Sequence, residues 1–143
     1  MRLLECTIGG AATFSEVVVT FGRGLLGILF VGAGILHFVK TGAYVAIVPP
    51  ILPDPRLLVQ ISGVAEILGG IGLLVPQTRQ ASAWGIIALL VAVLPANINM
   101  AMDRAHFASI PAWVLWARVP LQLPLIWWAW VYARDDGRGI GRW

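Results

Sequence analysis

Charge is scarce in this chain of 143 residues. Asp, Glu, Lys and Arg together make up 12% of the sequence, and hydrophobic residues make up 59%. A soluble domain carries about 25% charged residues and roughly 45–50% apolar ones. The chain therefore lacks the polar surface that a domain in water needs on all sides, which indicates that a lipid bilayer surrounds it.

Cysteine is almost missing too, since Cys6 is the single one in the sequence. One cysteine excludes a disulfide within the chain and a CxxC redox pair, and we interpret Cys6 as an ordinary thiol. The sequence contains no haem or flavin motif, no glycine-rich phosphate loop and no nucleophile elbow. No ligand spacing predicts a metal site. The net charge of +3 is spread along the chain, which argues against nucleic acid as a partner.

Four apolar segments are each close to the ~20 residues that cross a bilayer core as a helix. They cover about residues 17–38, 57–75, 81–101 and 112–133. Because lipid offers no partner to backbone polar groups, each segment is expected to be helical. The sequence therefore predicts an all-α fold, a four-helix transmembrane bundle. It forms one domain over residues 1–143, with a lead-in over 1–16 and a flexible tail over 134–143.

Positively charged residues set the expected orientation, because cytoplasmic loops of membrane proteins carry more Lys and Arg. Four spans place both termini on one side, together with Arg2, Arg79, Arg134, Arg138 and Arg142. The other side carries Lys40, Arg56 and Arg104. This five-to-three count favours cytoplasmic termini.

Glu66 stands in the apolar stretch SGVAEILGGIGLLV and needs a polar partner inside the membrane. Ionisable side chains at such depth usually face the bundle interior and pair with one another. Arg23 and Arg118 are offset from Glu66 by only ~4–5 Å along the membrane normal, at ~1.5 Å of rise per residue. The sequence therefore predicts an ion-pair cluster of these three residues. Gln122 lies one helical turn from Arg118, at the level of Glu66.

Such a cluster has two main interpretations. It is either a buried network that only holds the helices in register, or a binding or proton-handling centre. In a third interpretation, one arginine extends to an interface instead. Two arginines against one carboxylate leave a net positive charge, whereas a structural network would more cheaply be neutral. The excess charge slightly favours the functional interpretation, with an anionic or carbonyl-bearing ligand.

One face of the first span combines polar residues with glycine at helical spacing, and the second span repeats this around Glu66. The face consists of Arg23, Gly27, Phe30, Gly34 and His37. Glycines on it either let another helix approach closely or leave room for a ligand, and close packing is the commoner reason.

The end of the third span carries a second polar group. Pro95 is expected to kink the helix because it removes a backbone donor and clashes with the preceding turn. Asn97 and Asn99 then supply amides near the outer mouth of the bundle, at the level of His37. The apolar, proline-rich loop 39–56 is expected to fold back over that mouth. His37 alone is more often an ordinary interfacial histidine than a catalyst.

Three runs of sequence together resemble the DoxX-like family of small bacterial membrane proteins. They are GILHFVKTGAYVAIVPPILPDP, SGVAEILGGIGLLVPQTRQASAWGIIALLVAVLPANINMA and WARVPLQLPLIWWAW. The similarity covers about residues 20–132 and includes Glu66, Pro95–Ala96–Asn97 and the group Arg118, Pro120 and Gln122. It implies a multi-pass protein of the bacterial cytoplasmic (inner) membrane, in a family named after a subunit associated with thiosulfate:quinone oxidoreduction. The fold is similar to membrane proteins of the vitamin K epoxide reductase type, but this chain lacks their cysteine pair.

Residues and resemblance together lead to two functional hypotheses. In the first, the chain is a redox-associated protein that binds a quinone or similar lipid-soluble ligand between its helices, as a subunit of a membrane oxidoreductase. The predicted ligand-binding residues are Arg23, His37, Glu66, Asn97, Asn99, Arg118 and Gln122. In the second, it is a non-catalytic subunit or assembly factor whose buried charges are structural. A small-solute transporter is a distant third. The expected partners are the bilayer and either a redox protein or a second copy of the chain.

Overall fold

The computed structural model describes residues 14–103 and 105–134. This part of the chain forms five helices: α1 Phe14–Val39, α2 Thr41–Val45, α3 Pro55–Leu74, α4 Arg79–Met102 and α5 Ala112–Ala133. No strand occurs in these two ranges, so the prediction of an all-α fold is confirmed for them. The predicted apolar segments agree with the four long helices to within a few residues. Outside the described residues lie most of the lead-in and tail, with Arg2, Cys6, Arg104, Arg138 and Arg142.

Three helices, α1, α3 and α4, are long and apolar enough to cross a membrane. Large apolar side chains cover their outside; Phe21, Ile28 and Leu68 are 72%, 67% and 63% exposed. These features indicate a membrane protein, because such a surface suits lipid rather than water. The helix α5 has sufficient length at 22 residues. It falls short in apolar composition, so within the described ranges three helices rather than four meet both criteria.

The helix α3 packs against both α1 and α4, and α4 packs against α5. One core cluster joins all four long helices at the end where α1 and α4 begin. Its buried members are Leu26, Phe30, Leu73, Ala83, Ile86, Leu90, Ala129, Tyr132 and Ala133. At the same end, the Tyr132 hydroxyl donates a hydrogen bond to the Val19 carbonyl at 3.1 Å, which joins α5 to α1.

Glycine brings α1 and α3 into backbone contact at two levels. A Cβ atom at Gly27 would lie 2.9 Å from the carbonyl oxygen of Gly70, and one at Gly34 would lie 2.6 Å from that of Gly63. Both distances are too short for a real side chain, so the helices approach as closely as their backbones allow. Close packing, rather than room for a ligand, therefore explains these glycines. The Gly34 contact also places Glu66 against α1, since the same Cβ would lie 3.0 Å from the Cβ of Glu66.

The segment between α1 and α3 folds back over the end of the helices opposite the core cluster. Asn99 Nδ2 of α4 donates a hydrogen bond to the Ile47 carbonyl at 3.2 Å. Ile47 is buried there with Met100, Ala101 and Leu115. The predicted folding of residues 39–56 over this end is thus confirmed. We call it the loop end; α1 and α4 finish here, and α3 and α5 begin.

The start of α3 is fixed by a local cap. Asp54 adopts a left-handed backbone conformation with φ of 43°, and its carboxylate accepts a hydrogen bond from the Leu57 N–H at 3.2 Å. Pro55 follows at the first helical position, where a missing N–H leaves no bond unmade. This cap ends the covering segment and directs α3 away from the loop end.

Candidate functional site

Glu66 lies between α3 and α1 with only 8% of its surface exposed. Its nearest polar partner is His37, whose Nδ1 atom is 3.3 Å from Glu66 Oε2. His37 is 7% exposed, and its Nδ1 atom also lies 2.9 Å from the Ala33 carbonyl oxygen in its own helix. The short bond goes to Ala33, and Oε2 of Glu66 accepts no hydrogen bond from any described residue.

The predicted ion pairs of Glu66 with Arg23 and Arg118 are wrong; within the described chain its ion pair is with His37. The glycine contacts explain the error for Arg23. Because Gly27 faces Gly70, Arg23 lies level with Leu74, ~12 Å from Glu66 at ~1.5 Å of rise per residue. The depths estimated from span lengths did not take this register between α1 and α3 into account.

Arg118 fails to reach Glu66 for a different reason. It belongs to α5, whereas α3 packs against α1 and α4. Its side chain is exposed, and its Nε atom donates a hydrogen bond to Asn97 Oδ1 on α4 at 3.3 Å. Among the described residues nothing else bonds its guanidinium, so the two terminal nitrogens remain available to a ligand.

Tyr44 of α2 covers His37 from the loop end. The two rings stack with centroids 3.9 Å apart. Thr41 Oγ1 donates a hydrogen bond to the His37 carbonyl at 2.8 Å, which fixes α2 on the end of α1. Burial raises the pKa of the Tyr44 phenol, Glu66 raises it further, and Arg118 lowers it. The charges of both residues therefore act on one phenol at this end of the fold.

Sequence reasoning did not include Tyr44 among the ligand-binding residues. Its position seven residues after His37, about two helical turns, was the available signal. A short helix of five residues is hard to foresee in a segment so rich in proline.

Gln122 of α5 is 5% exposed and is held by the backbone of α4. Its Nε2 atom donates a hydrogen bond to the Leu90 carbonyl at 2.9 Å. Its Oε1 atom is buried and receives no hydrogen bond from the described residues. Gln122 thus offers one unused acceptor between α4 and α5.

A groove of about 300 Å³ opens between α4 and α5 at the level of Gln122. Its walls include Leu90, Val91 and Leu94 of α4 and Val119, Gln122 and Leu123 of α5. The Gln122 amide is the polar group among these side chains. Pro95 and Pro120 lie at this depth inside their helices. A proline in a helix removes a backbone hydrogen bond and bends the helix, which gives a physical reason for the two helices to separate here.

The seven predicted ligand-binding residues therefore fall in several places rather than in one pocket. His37 and Glu66 pair between α1 and α3, and Asn99 holds the covering loop. Gln122 lines the α4–α5 groove, which Arg118, Asn97 and Glu66 do not line, and Arg118 bonds Asn97 between the same two helices. Arg23 is half-buried near the opposite end. Over the described ranges, no three His, Cys, Asp or Glu side chains are placed to hold a metal ion.

Comparison with known proteins gives one match. No curated protein and no solved structure is significantly similar to the chain. Residues 26–133 match a family model described as "Domain of unknown function (DUF8561)". The matched range contains both the His37–Glu66 pair and the α4–α5 groove, and it excludes Arg23. Because the match covers well over half of the sequence, the chain belongs to the DUF8561 family.

Proposed function

We propose that the chain is an integral membrane protein that binds a quinone, or a similar lipid-soluble carbonyl compound, between α4 and α5. In this proposal the long helices form a four-helix transmembrane bundle in the bacterial inner membrane, with α5 as the fourth span. The core cluster that α5 shares with the three apolar helices supports that arrangement. The termini are cytoplasmic, as the arginine and lysine count favours.

The observation that carries the proposal is an apolar groove lined by Gln122, with the Arg118–Asn97 hydrogen bond joining the same two helices nearer the loop end. Arg118 lies one helical turn from Gln122 on the same face of α5. Asn97 holds the Nε atom, which orients the guanidinium and leaves its terminal nitrogens to donate. A carbonyl or anionic oxygen bound there gains charge-assisted hydrogen bonds, which are roughly twice as strong as neutral ones.

The groove suits the apolar remainder of such a ligand. Its volume of about 300 Å³ is at the lower limit of small-molecule sites, which range over roughly 300–1,000 Å³. Gln122 Oε1 gives the groove one acceptor. A quinone cannot donate to that acceptor, whereas the hydroxyl group of the reduced quinol can. Arg118 can donate to an oxygen of either redox form, so of the two polar groups Gln122 is the one that distinguishes them, in favour of the quinol.

The redox assignment itself rests on the DoxX-like resemblance, in which Arg118 and Gln122 are among the matching positions. Since the sequence carries no haem or flavin motif, the proposal assigns electron transfer to a partner protein and ligand binding to this chain.

A second candidate is a non-catalytic membrane subunit. The backbone contact between α1 and α3 favours it, because Glu66 and His37 lie in that tight interface rather than in a ligand-sized cavity. In this alternative the surface that matters is the apolar exterior of the helices, and the groove holds only membrane lipid.

Titration of ubiquinone or menaquinone analogues into the purified protein separates the candidates. Trp116, 51% exposed and two residues from Arg118, serves as the fluorescent reporter, with Trp116→Phe to assign the quenching. We expect saturable quenching that Arg118→Gln weakens. Arg23→Gln is the matched control, because Arg23 lies far from the groove. If no analogue binds, or if wild type and Arg118→Gln bind equally, the quinone proposal fails and the structural candidate replaces it.

A further inference from the structure

The His37–Glu66 pair lies outside the groove and calls for its own explanation. Both residues are buried, at 7% and 8% exposure, and their side chains alone are 9% and 11% exposed. Glu66 Oε2 accepts no hydrogen bond in the described part of the chain, although His37 Nδ1 is 3.3 Å away. One turn earlier on α3, the buried hydroxyl of Ser62 also has no described partner. Two polar atoms on one face of α3 are thus left unsatisfied in an apolar interface.

The charge of the pair depends on a single proton. An ionised Glu66 beside a neutral imidazole leaves one negative charge, and burying a charge without compensation is strongly unfavourable. One added proton removes it in either of two arrangements. Because a carbonyl oxygen only accepts, the Ala33 oxygen 2.9 Å from Nδ1 requires a hydrogen on Nδ1. The added proton therefore resides either on Nε2, giving an imidazolium beside a carboxylate, or on Glu66, giving a carboxylic acid beside a neutral imidazole. In both arrangements the pair carries no net charge.

We propose that His37 and Glu66 form a proton-binding site that takes up one proton, on the imidazole or on the carboxyl group, and is then neutral. The proton comes from water at the loop end, and only N–H or O–H bonds form and break. The site goes beyond ligand binding in the groove and does not require it, because it is built from α1 and α3 while the groove is built from α4 and α5.

Two cations lie at the loop end of α1 and α3. They are Lys40, three residues after His37, and Arg56, ten residues before Glu66, and both are exposed. Glu16 and Arg23 lie fourteen or more residues before His37. Tyr44 is the titratable group of α2 that faces His37. The helix α4 has no ionisable residue between Arg79 and Asp103. Arg118 of α5 interacts electrostatically with Tyr44. Lys40, Arg56 and Arg118 are all exposed, whereas each member of the pair has the other as its buried ionisable neighbour.

Access to the site is from the loop end. The Tyr44 ring stacks on His37, and α2 is anchored there by the bond from Thr41 to the His37 carbonyl. Beside the pair, the backbones of α1 and α3 touch at Gly34 and Gly63. Proton exchange by the loop-end route thus requires movement of Tyr44, or relay through its hydroxyl.

Nuclear magnetic resonance of ¹⁵N-histidine-labelled protein tests the proposal directly. The sequence has two histidines, and the exposed His106 can be replaced by Gln so that only His37 is observed. Infrared difference spectra between two pH values report a protonated carboxyl group on Glu66 in the same samples. We expect either a protonated His37 ring or a carboxylic acid band that Glu66→Gln abolishes. In the first case the His37 transition shifts in Glu66→Gln and stays unchanged in the control Glu16→Gln.

Two results would overturn the proposal. One is a His37 ring that stays neutral, with no Glu66 acid band, throughout the pH range in which the protein is folded. The other is a His37 transition that is identical in His106→Gln with and without Glu66→Gln. If Glu66→Gln does not fold, His37→Asn replaces it and the infrared band of Glu66 becomes the readout. That band must then change when the imidazole is removed, and an unchanged band contradicts a proton-binding site formed by both residues.

Discussion

Gly34 of α1 and Gly63 of α3 face each other so closely that a Cβ atom on Gly34 would lie 2.6 Å from the Gly63 carbonyl oxygen. A Cβ on Gly63 would in turn lie 2.8 Å from the Cβ of His37. The contact therefore sets the separation of the two helices and, through it, the position of His37 against Glu66.

Gly34→Ala should destabilise the protein by ~1–3 kcal/mol, the usual cost of inserting a methyl group into a well-packed interface. Gly32→Ala is the matched control, because a Cβ atom there meets nothing within 4 Å. Thermal unfolding in detergent, followed by circular dichroism, measures both. Equal stability of the two variants would show that α1 and α3 are further apart than described.

Glu66→Gln should change the stability by less than ~1 kcal/mol, because His37 can be neutral and no permanent charge is then left unpaired. An arginine partner predicts a different result. Removing the carboxylate from a buried pair with arginine destabilises by ~3–5 kcal/mol. Chemical unfolding of wild type and Glu66→Gln at one pH distinguishes the two, and a loss in the larger range would restore the arginine pairing.

Arg118→Gln should weaken quinone binding by ~1.5–3 kcal/mol, the range for hydrogen bonds to charged groups. Arg118→Lys should weaken it less, because lysine keeps the charge but loses the planar fork. Asn97→Ala should have a smaller effect, since Asn97 only orients the guanidinium through Nε. Dissociation constants from fluorescence titration give the order. An Asn97→Ala effect as large as that of Arg118→Gln would mean that Asn97 contacts the ligand itself.

Reporter fusions should show that α5 spans the membrane. A reporter after Trp143 and one in the turn 75–78 should both read as cytoplasmic, and one inserted in the loop 105–111 should read as external. If the reporter after Trp143 and the loop reporter appear on the same side, α5 lies in the interface and the bundle has three spans. If all three readings invert, the bundle is kept and only its orientation changes.

The sequence was sufficient for the helices and insufficient for their pairing. Apolar runs near 20 residues located all four long helices, because the backbone in lipid must bond within each segment. The face of Gly27, Gly34 and His37 was also recognised from helical spacing. However, the prediction that Glu66 pairs with Arg23 and Arg118 used only the depths of these residues in the membrane. The pairing of the helices and their register depend on how well the surfaces of two helices fit together. Residue spacing along a single helix does not determine that fit.

For the site residues too, the sequence identified individual polar side chains but not all of their partners. Arg118, Asn97 and Gln122 were identified as polar groups in an apolar context, and the structure brings them to one pair of helices. Tyr44 was missed because its role comes from stacking across a turn rather than from a pattern. Arg23 was included for its depth in the first span, yet it lies away from both polar sites.

The walls of the α4–α5 groove include Val91 and Leu123, which are 56% and 68% exposed on the outside of the helices. If α5 spans the membrane as proposed, the groove opens sideways to the hydrocarbon of the bilayer, and the proposed ligand reaches it without crossing the aqueous phase. Occupancy then follows the mole fraction of the compound among the lipids, not its concentration in water. Extra detergent or lipid at constant compound and protein should lower the occupancy by simple dilution within the apolar phase, even though the buffer composition stays the same.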